Sequence, residues 1–129
     1  MNHLSKKILI VEDEQSLLKV LELLFRSNNF TVLKAVNTLE AKTFLQENPD
    51  VILLDILLPG ESGLNFLTEV KNKDQYKNIP VIILSNYSDT ETKKQAKEKG
   101  ADLYLVKVDN SPLQILEQVN KMLANIKAF

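Results

Sequence analysis

Several short stretches of the chain are solidly apolar: Ile8-Leu9-Ile10-Val11, Val51-Ile52-Leu53-Leu54, Val81-Ile82-Ile83-Leu84 and Leu103-Tyr104-Leu105-Val106. None is long enough to span a bilayer, and none alternates with polar residues. Runs of this kind read as strands buried on both faces, which belong mainly to parallel sheets covered by helices. Phe30-Thr31-Val32-Leu33 is β-prone and adds another strand. Pro80 is tolerable only because it stands at the start of its strand.

Between the strands the period changes to that of a helix. Leu17, Leu18, Val20, Leu21, Leu24 and Phe25 recur at helical spacing up to Asn28-Asn29, a natural stop. Asn37-Thr38-Leu39-Glu40 has the form of an N-cap with an acid three residues on, and the helix it opens carries Leu39, Ala41, Phe44 and Leu45 before Asn48-Pro49. Leu64, Leu67 and Val70 mark a third helix, beyond the break at Pro59-Gly60 and the release at Gly63. Ser88-Asp89-Thr90-Glu91 reads as a capping box for a helix from Thr90 to Lys99, closed by Gly100. That helix has almost no apolar face beyond Ala96, which predicts weak packing and an easily shifted position. Ser111-Pro112 caps the last helix, whose apolar side is Leu113, Leu116, Val119, Met122, Leu123 and Ile126.

Strand and helix therefore alternate five times. The pattern predicts an α/β fold with a doubly wound parallel sheet, joined by right-handed crossovers and flanked by helices on both faces. No repeat, low-complexity tract or linker divides the 129 residues, so the expectation is one domain over 1–129 with its core at about 6–127.

Composition narrows the function without naming it. Hydrophobic residues are 44% and charged residues 26% of the chain, the balance of an ordinary soluble domain. A formal net charge of -1 offers nucleic acid no general attraction. With no cysteine, disulfides, thiolate metal sites and thiol catalysis are excluded. Lys6-Lys7 precedes an apolar run that Glu12-Asp13-Glu14 ends too soon for a signal peptide, and no membrane span is present. A cytoplasmic location is the expectation. His3 stands alone and is assigned nothing.

The chemistry lies where the strands end. In open parallel sheets, sites form outside the carboxyl ends of the strands. Here those ends carry Glu12 and Asp13, Asp55, Ser85 and Lys107. If the first and third strands are neighbours, the three acids converge. Two carboxylates about 5 Å apart repel by roughly 3 kcal/mol at an effective dielectric near 20. Three such pairs approach 10 kcal/mol, comparable with the stability of a whole domain. Lys107 supplies one balancing charge, and a divalent cation the remainder. Few carboxylates, oxygen ligands and room for water suit Mg²⁺. A carboxylate can attack an electrophilic phosphorus if the phosphoryl oxygens meet a metal, a cation and a hydroxyl donor. Asp55 is then the nucleophile, Glu12 and Asp13 hold the metal, Lys107 is the cation and Ser85 the hydroxyl.

The segments Ile10-Val11-Glu12-Asp13-Glu14, Leu54-Asp55-Ile56-Leu57-Leu58-Pro59-Gly60-Glu61-Ser62-Gly63, Leu84-Ser85 and Tyr104-Leu105-Val106-Lys107 resemble, in order and over essentially the entire chain, the receiver domain of two-component response regulators. The resemblance implies a flavodoxin-like fold with sheet order 2-1-3-4-5 and five helices. It implies phosphoryl transfer from a histidine kinase or histidine phosphotransfer protein onto Asp55, with Mg²⁺. The backbone carbonyl of Leu57 would complete the metal shell, and Tyr104 matches an aromatic that swings inward as the hydroxyl residue follows the phosphoryl group. The output surface, for an effector or a homodimer, would be the Thr90–Lys99 helix with the last strand and last helix. Two positions depart from the pattern. Val108 follows Lys107 where the family usually has proline, often with a cis bond, and a cis bond to valine costs about 2.5–4 kcal/mol. Either that loop is trans and Lys107 approaches differently, or the site stores strain. Asn86 replaces a small residue beside the phosphoryl-binding position, where its amide could crowd the group or hydrogen-bond to it.

Three other functions fit parts of the pattern. A degenerate receiver would bind partners through the same surfaces without phosphorylation. A flavin carrier would need Ser, Thr and Gly amides cradling phosphate after the first strand, where this chain has Glu12-Asp13-Glu14. A hydrolase would need a general base beside the acids, and none is evident beyond slow self-hydrolysis of a phosphorylated Asp55.

Overall fold

A computed structural model describes residues 5–126; His3 and the ends of the expected 1–129 unit lie outside them. The chain runs β1 (Lys6–Val11), α1 (Gln15–Ser27), β2 (Phe30–Ala35), α2 (Thr38–Phe44), β3 (Val51–Leu54), α3 (Gly63–Lys71), β4 (Val81–Ser85), α4 (Thr90–Glu98), β5 (Leu103–Val106) and α5 (Pro112–Ile126). Short 3-10 turns occupy Leu45–Glu47 and Lys107–Asp109. The strands form one parallel five-stranded sheet in the order β2-β1-β3-β4-β5, as expected.

The uninterrupted apolar runs are explained by the two cores they serve. On one face Ile8, Ile10, Leu53, Ile82 and Leu84 pack against Leu21 and Phe25 of α1 and Ile115 and Val119 of α5. On the other, Leu9, Val11, Ile52, Leu54 and Ile83 pack against α2, α3 and Ala96 of α4. Successive residues point to opposite faces, so both faces of a central strand must be greasy. Sheet order and handedness together set the helix layers. Growth runs outward from β1 to β2 and then reverses through β3, β4 and β5, so right-handed connections put α1 and α2 on opposite faces. The reversal leaves a crevice between the ends of β1 and β3, which pair in register as Val11↔Leu54. Glu12 and Asp55 are the next residue on each strand.

The helix ends follow local chemistry. Asn37 caps α2 by accepting from the Glu40 N–H at 2.8 Å, while Glu40 reaches back to the Val36 N–H at 2.9 Å. In α5 Ser111 and Gln114 cap each other, side chain to backbone, at 3.2 and 2.8 Å. At α4 the cap is Asp89 rather than Ser88: its Oδ2 accepts from the Thr92 N–H at 2.9 Å and the Thr92 hydroxyl at 2.8 Å. A carboxylate is the stronger acceptor there and also suits the positive end of the helix. The helix stops at Glu98, one residue short of the expected Lys99. Gly100, with φ 105°, then allows the Gly100 and Ala101 N–H groups to bond back to Lys97 and Ala96.

Some expected apolar positions prove to lie outside. Leu39 is 73% exposed, Leu113 58% and Val20 47%, because each falls off the stripe that faces the sheet. Conversely, Phe66 is completely buried although the expected face of α3 was Leu64, Leu67 and Val70. The buried set Gly63, Phe66, Leu67 and Val70 has the i, i+3, i+4, i+7 spacing of a core-facing stripe. Ala96 is the one fully buried residue of α4, in keeping with a weakly packed helix. No helix among the described residues is long and apolar enough to cross a membrane. Phe66→Ala is expected to cost about 3–5 kcal/mol in urea denaturation, whereas Leu39→Ala should stay within about 0.5 kcal/mol.

Candidate functional site

Glu12, Asp13, Glu14, Asp55, Leu57, Ser85, Asn86, Tyr87 and Lys107 line a cleft of about 410 Å³ at the carboxyl ends of the strands. The backbone builds it by continuing the sheet one step: the Asp55 N–H donates to the Val11 carbonyl at 3.0 Å, and the Glu12 N–H to the Ala35 carbonyl at 2.9 Å. These bonds carry two acids into a place where both are nearly inaccessible, Glu12 at 1% and Asp55 at 5% exposure.

One side chain joins them. Lys107 Nζ lies 2.9 Å from Asp55 Oδ2 and 2.8 Å from Glu12 Oε1. Asp55 Oδ1 accepts a long bond from the Leu57 N–H at 3.3 Å, and Glu12 Oε2 accepts from the Glu14 N–H at 2.9 Å. Glu12 Oε1 is buried and has no well-angled hydrogen bond, only the charge of Lys107 beside it. Asp13 is exposed at the rim. An oxygen from each of Glu12, Asp13 and Asp55 can be chosen so that all lie within 4.8 Å of one another.

The electrostatics are unbalanced. Burial pushes the Asp55 carboxyl above its usual range, and the bond and charge of Lys107 only partly offset it. Burial raises Glu12 as well, with the Asp55 charge adding to it against the pull of Lys107 and the Glu14 amide. For Lys107, burial acts to release the proton, but the bonds to Glu12 and Asp55 outweigh it and the ammonium is held more tightly than usual. Glu12, Asp13 and Asp55 thus set three carboxyl groups against the one Lys107 ammonium, with Glu14 a further acid of the lining, an excess of negative charge that a divalent cation would relieve. Oxygen donors alone, a buried Glu12 Oε1 whose neighbour is the Lys107 ammonium, and an open rim fit an ion such as Mg²⁺, which keeps part of its water.

The remaining residues expected from the sequence are placed as follows. Ser85 ends β4, is 1% exposed, and its Oγ accepts from the Tyr87 N–H at 3.2 Å. Asn86 is exposed and stands in the cleft wall. Tyr104 lies outside the cleft lining; its hydroxyl donates to the Tyr87 carbonyl at 2.6 Å, gripping the loop that follows Ser85. Among the described residues no peptide bond is cis, so the Lys107–Val108 bond is trans. Lys107 opens a 3-10 turn that leaves Val108 80% exposed, and it reaches both acids nonetheless. The strained alternative is thereby set aside.

Glu14, Tyr87 and Gly63 contribute without having been singled out for these parts. Glu14 could have been read from its place in the acidic triplet. For Tyr87 no sequence signal existed beyond its distance from the end of a strand. Gly63 looked like a simple release into a helix, yet a methyl group there would collide with the carbonyl oxygen of Asp55. Its N–H donates to the Ile56 carbonyl at 2.8 Å, folding the start of α3 against the acid-bearing strand end.

The family model of the response regulator receiver domain matches residues 8–120. The chain belongs to that family. It is 36% identical over 128 residues to the regulatory protein VanR of Enterococcus faecium, covering 98% of this chain and 53% of VanR. To the phosphate regulon transcriptional regulatory protein PhoB of Escherichia coli it is 32% identical over 124 residues, covering 95% of this chain and 54% of PhoB. The chain therefore spans about half the length of the curated relatives it matches. The signal receiver domain of a signal transduction histidine kinase from Syntrophus aciditrophicus superposes with a TM-score of 0.86 at 28% identity, over 97% of this chain and 95% of that one. Receiver domains are signalling switches, and the acidic cleft is where such domains take Mg²⁺.

Because the folded protein favours the protonated Asp55, metal-free stability falls as pH rises from the ordinary value of 3.8 through the raised one. Asp55→Asn removes that loss while leaving Lys107 its bond to Glu12. The variant is expected to have the higher urea midpoint at neutral pH without metal, with the advantage vanishing below pH 3.8. Gly63→Ala should destabilise by about 1–3 kcal/mol, measured by thermal unfolding, because the collision is with backbone.

Proposed function

We propose that the chain, as a single receiver unit, accepts a phosphoryl group on Asp55 from a phosphohistidine of a histidine kinase or histidine phosphotransfer protein. The observation that carries this reading is the Lys107 ammonium held between Asp55 and Glu12 in an acidic cleft open to solvent. In the transfer a carboxylate oxygen of Asp55 forms the new P–O bond as the P–N bond to the donor imidazole breaks, and the imidazole leaves with its electron pair and takes up a proton. Lys107 starts on Asp55 Oδ2 and would turn to a phosphoryl oxygen while keeping Glu12 as its anchor. The Ser85 hydroxyl, now accepting from the Tyr87 amide, is free to donate its own proton to the incoming group. Asn86 is the second polar side chain of the wall and would offer its amide.

Glu12, Asp13, Asp55 and the Leu57 backbone carbonyl would hold Mg²⁺, whose charge stabilises the phosphoryl oxygens as they gain negative charge. The Leu57 N–H to Asp55 bond fixes the residue that would offer that carbonyl. The change of state would pass along β4. If Ser85 moves toward the phosphoryl group it draws on the Tyr87 amide, and Tyr104 holds the carbonyl of that same residue. The loop leads directly into α4, so α4, β5 and α5 form the surface on which an effector or a second copy would read the state. Transcriptional regulation is in the printed name of the PhoB relative and belongs to that protein; this chain's own charge gives no reason to expect direct contact with nucleic acid.

Incubation with a small phosphodonor and Mg²⁺ should add one phosphoryl mass to the protein, and Asp55→Asn should abolish it. Lys107→Ala should cut the rate by about 10²–10³, the scale for removing one stabilising donor. No mass gain in the wild type would favour the phosphorylation-independent interaction module instead.

A further inference from the structure

The segment after Asp55 is anchored at its base and tied at its tip by different means. At the base Ile56 and Leu58 are buried, at 6% and 7% exposure, and the Gly63 N–H closes the loop on Ile56. The tip, Pro59-Gly60-Glu61, has Gly60 at φ 84° and makes no backbone bond to the sheet among those of the described residues. A cation from a different element holds it. Lys42 Nζ, on α2, lies 3.2 Å from Glu61 Oε1 and 3.2 Å from Glu69 Oε2 of α3. Glu61 Oε1 is buried without a hydrogen bond of good angle and has the Lys42 charge beside it. The Thr38 hydroxyl on the same helix holds the Glu61 carboxyl below the usual range, and Lys42 adds to that against burial.

We propose that Lys42 is a positioning residue for the cation site: by clamping Glu61 and Glu69 it fixes the loop from Asp55 to Gly63, and with it the Leu57 carbonyl. The inference rests on the proposed role of that carbonyl. Its physical basis is a difference in what is sensitive to what. Ion pairs as exposed as these, at 30–39% of each side chain, add little to global stability. Mg²⁺, however, demands near-octahedral placement and is sensitive to small displacements of a ligand. A clamp weak in the first respect can be strong in the second. Another lysine clamp between elements, Lys71 on Asp102 and the Ile79 carbonyl, ties α3 to the residues just before β4 and β5, away from the cleft residues. It provides a comparison for what an ordinary structural lysine does.

The test is calorimetric titration of the full chain with MgCl₂, alongside urea denaturation without metal. Lys42→Ala should weaken Mg²⁺ binding by about tenfold, the lower end for partners outside the ligand set, while its urea midpoint stays near that of the wild type. Lys42→Arg should recover most of the affinity, and Glu61→Gln should add little on the Lys42→Ala background because both break the same clamp. Lys71→Ala should shift the urea midpoint without a selective loss of Mg²⁺ affinity. Equal affinity in Lys42→Ala and wild type overturns the proposal while leaving the phosphoacceptor reading intact. So does a loss of affinity no greater than an accompanying loss of stability explains. A wild type that binds no Mg²⁺ removes both together.

Discussion

The contact between the Lys107 ammonium and the carboxylates of Glu12 and Asp55 is the constraint on which the cleft depends. The β1 and β3 strand ends deliver their acids to adjacent positions, and neither acid can retreat, because each continues a backbone ladder by one bond. Like charges so close in a nearly inaccessible place repel strongly. One lysine relieves part of the repulsion, and the remainder appears as the raised proton affinity of both acids. The site is therefore held short of positive charge by its own scaffold. That shortage is what would make it receptive to a cation, since Glu12 Oε1 has only the Lys107 ammonium beside it.

The rest of the fold supplies the precision. Both cores are dense and apolar, so the central strands cannot slide without turning side chains into the wrong layer. Register alone then aligns Glu12 with Asp55, and Ser85 with the step before Lys107. The strands end in short loops, where the backbone can depart from the usual pattern. The 3-10 turn at Lys107 is an instance: its bond to Val108 is trans, the usual proline is absent, and the ammonium still arrives between the acids. The length of the lysine side chain absorbs what the backbone does differently.

How far the sequence could be read depended on whether a feature was local or met something distant. Strands buried on both faces were visible as apolar runs, and the caps at Asn37 and Ser111 as short polar patterns. Glu12, Asp13, Asp55, Ser85 and Lys107 were visible because strand ends in such a sheet converge. The choice of Asp89 over Ser88 at α4 was less legible, since both are good caps and only the geometry of the preceding loop decides. Phe66 and Leu39 exchanged places relative to expectation, because α3 and α2 are short and a few residues do not define a stripe. The closeness of Gly63 to the Asp55 carbonyl and the span of Lys42 from α2 to the loop and α3 could not be seen at all. Each is a contact between residues whose separation in the chain carries no signal.

The ends of α4 have a bearing on what kind of movement this protein can make. Asp89 takes the Thr92 and Lys93 amides, and the Gly100 and Ala101 amides reach the Lys97 and Ala96 carbonyls, so both tips are capped by residues next to the helix in the chain. Against the sheet the helix is seated by one small side chain, Ala96. Such a piece has little apolar contact to lose by leaving its seat, and it would take its caps with it. A tilt or slide would then move it as an intact rod, carrying its row of lysines to a new location without a change in the shape they share.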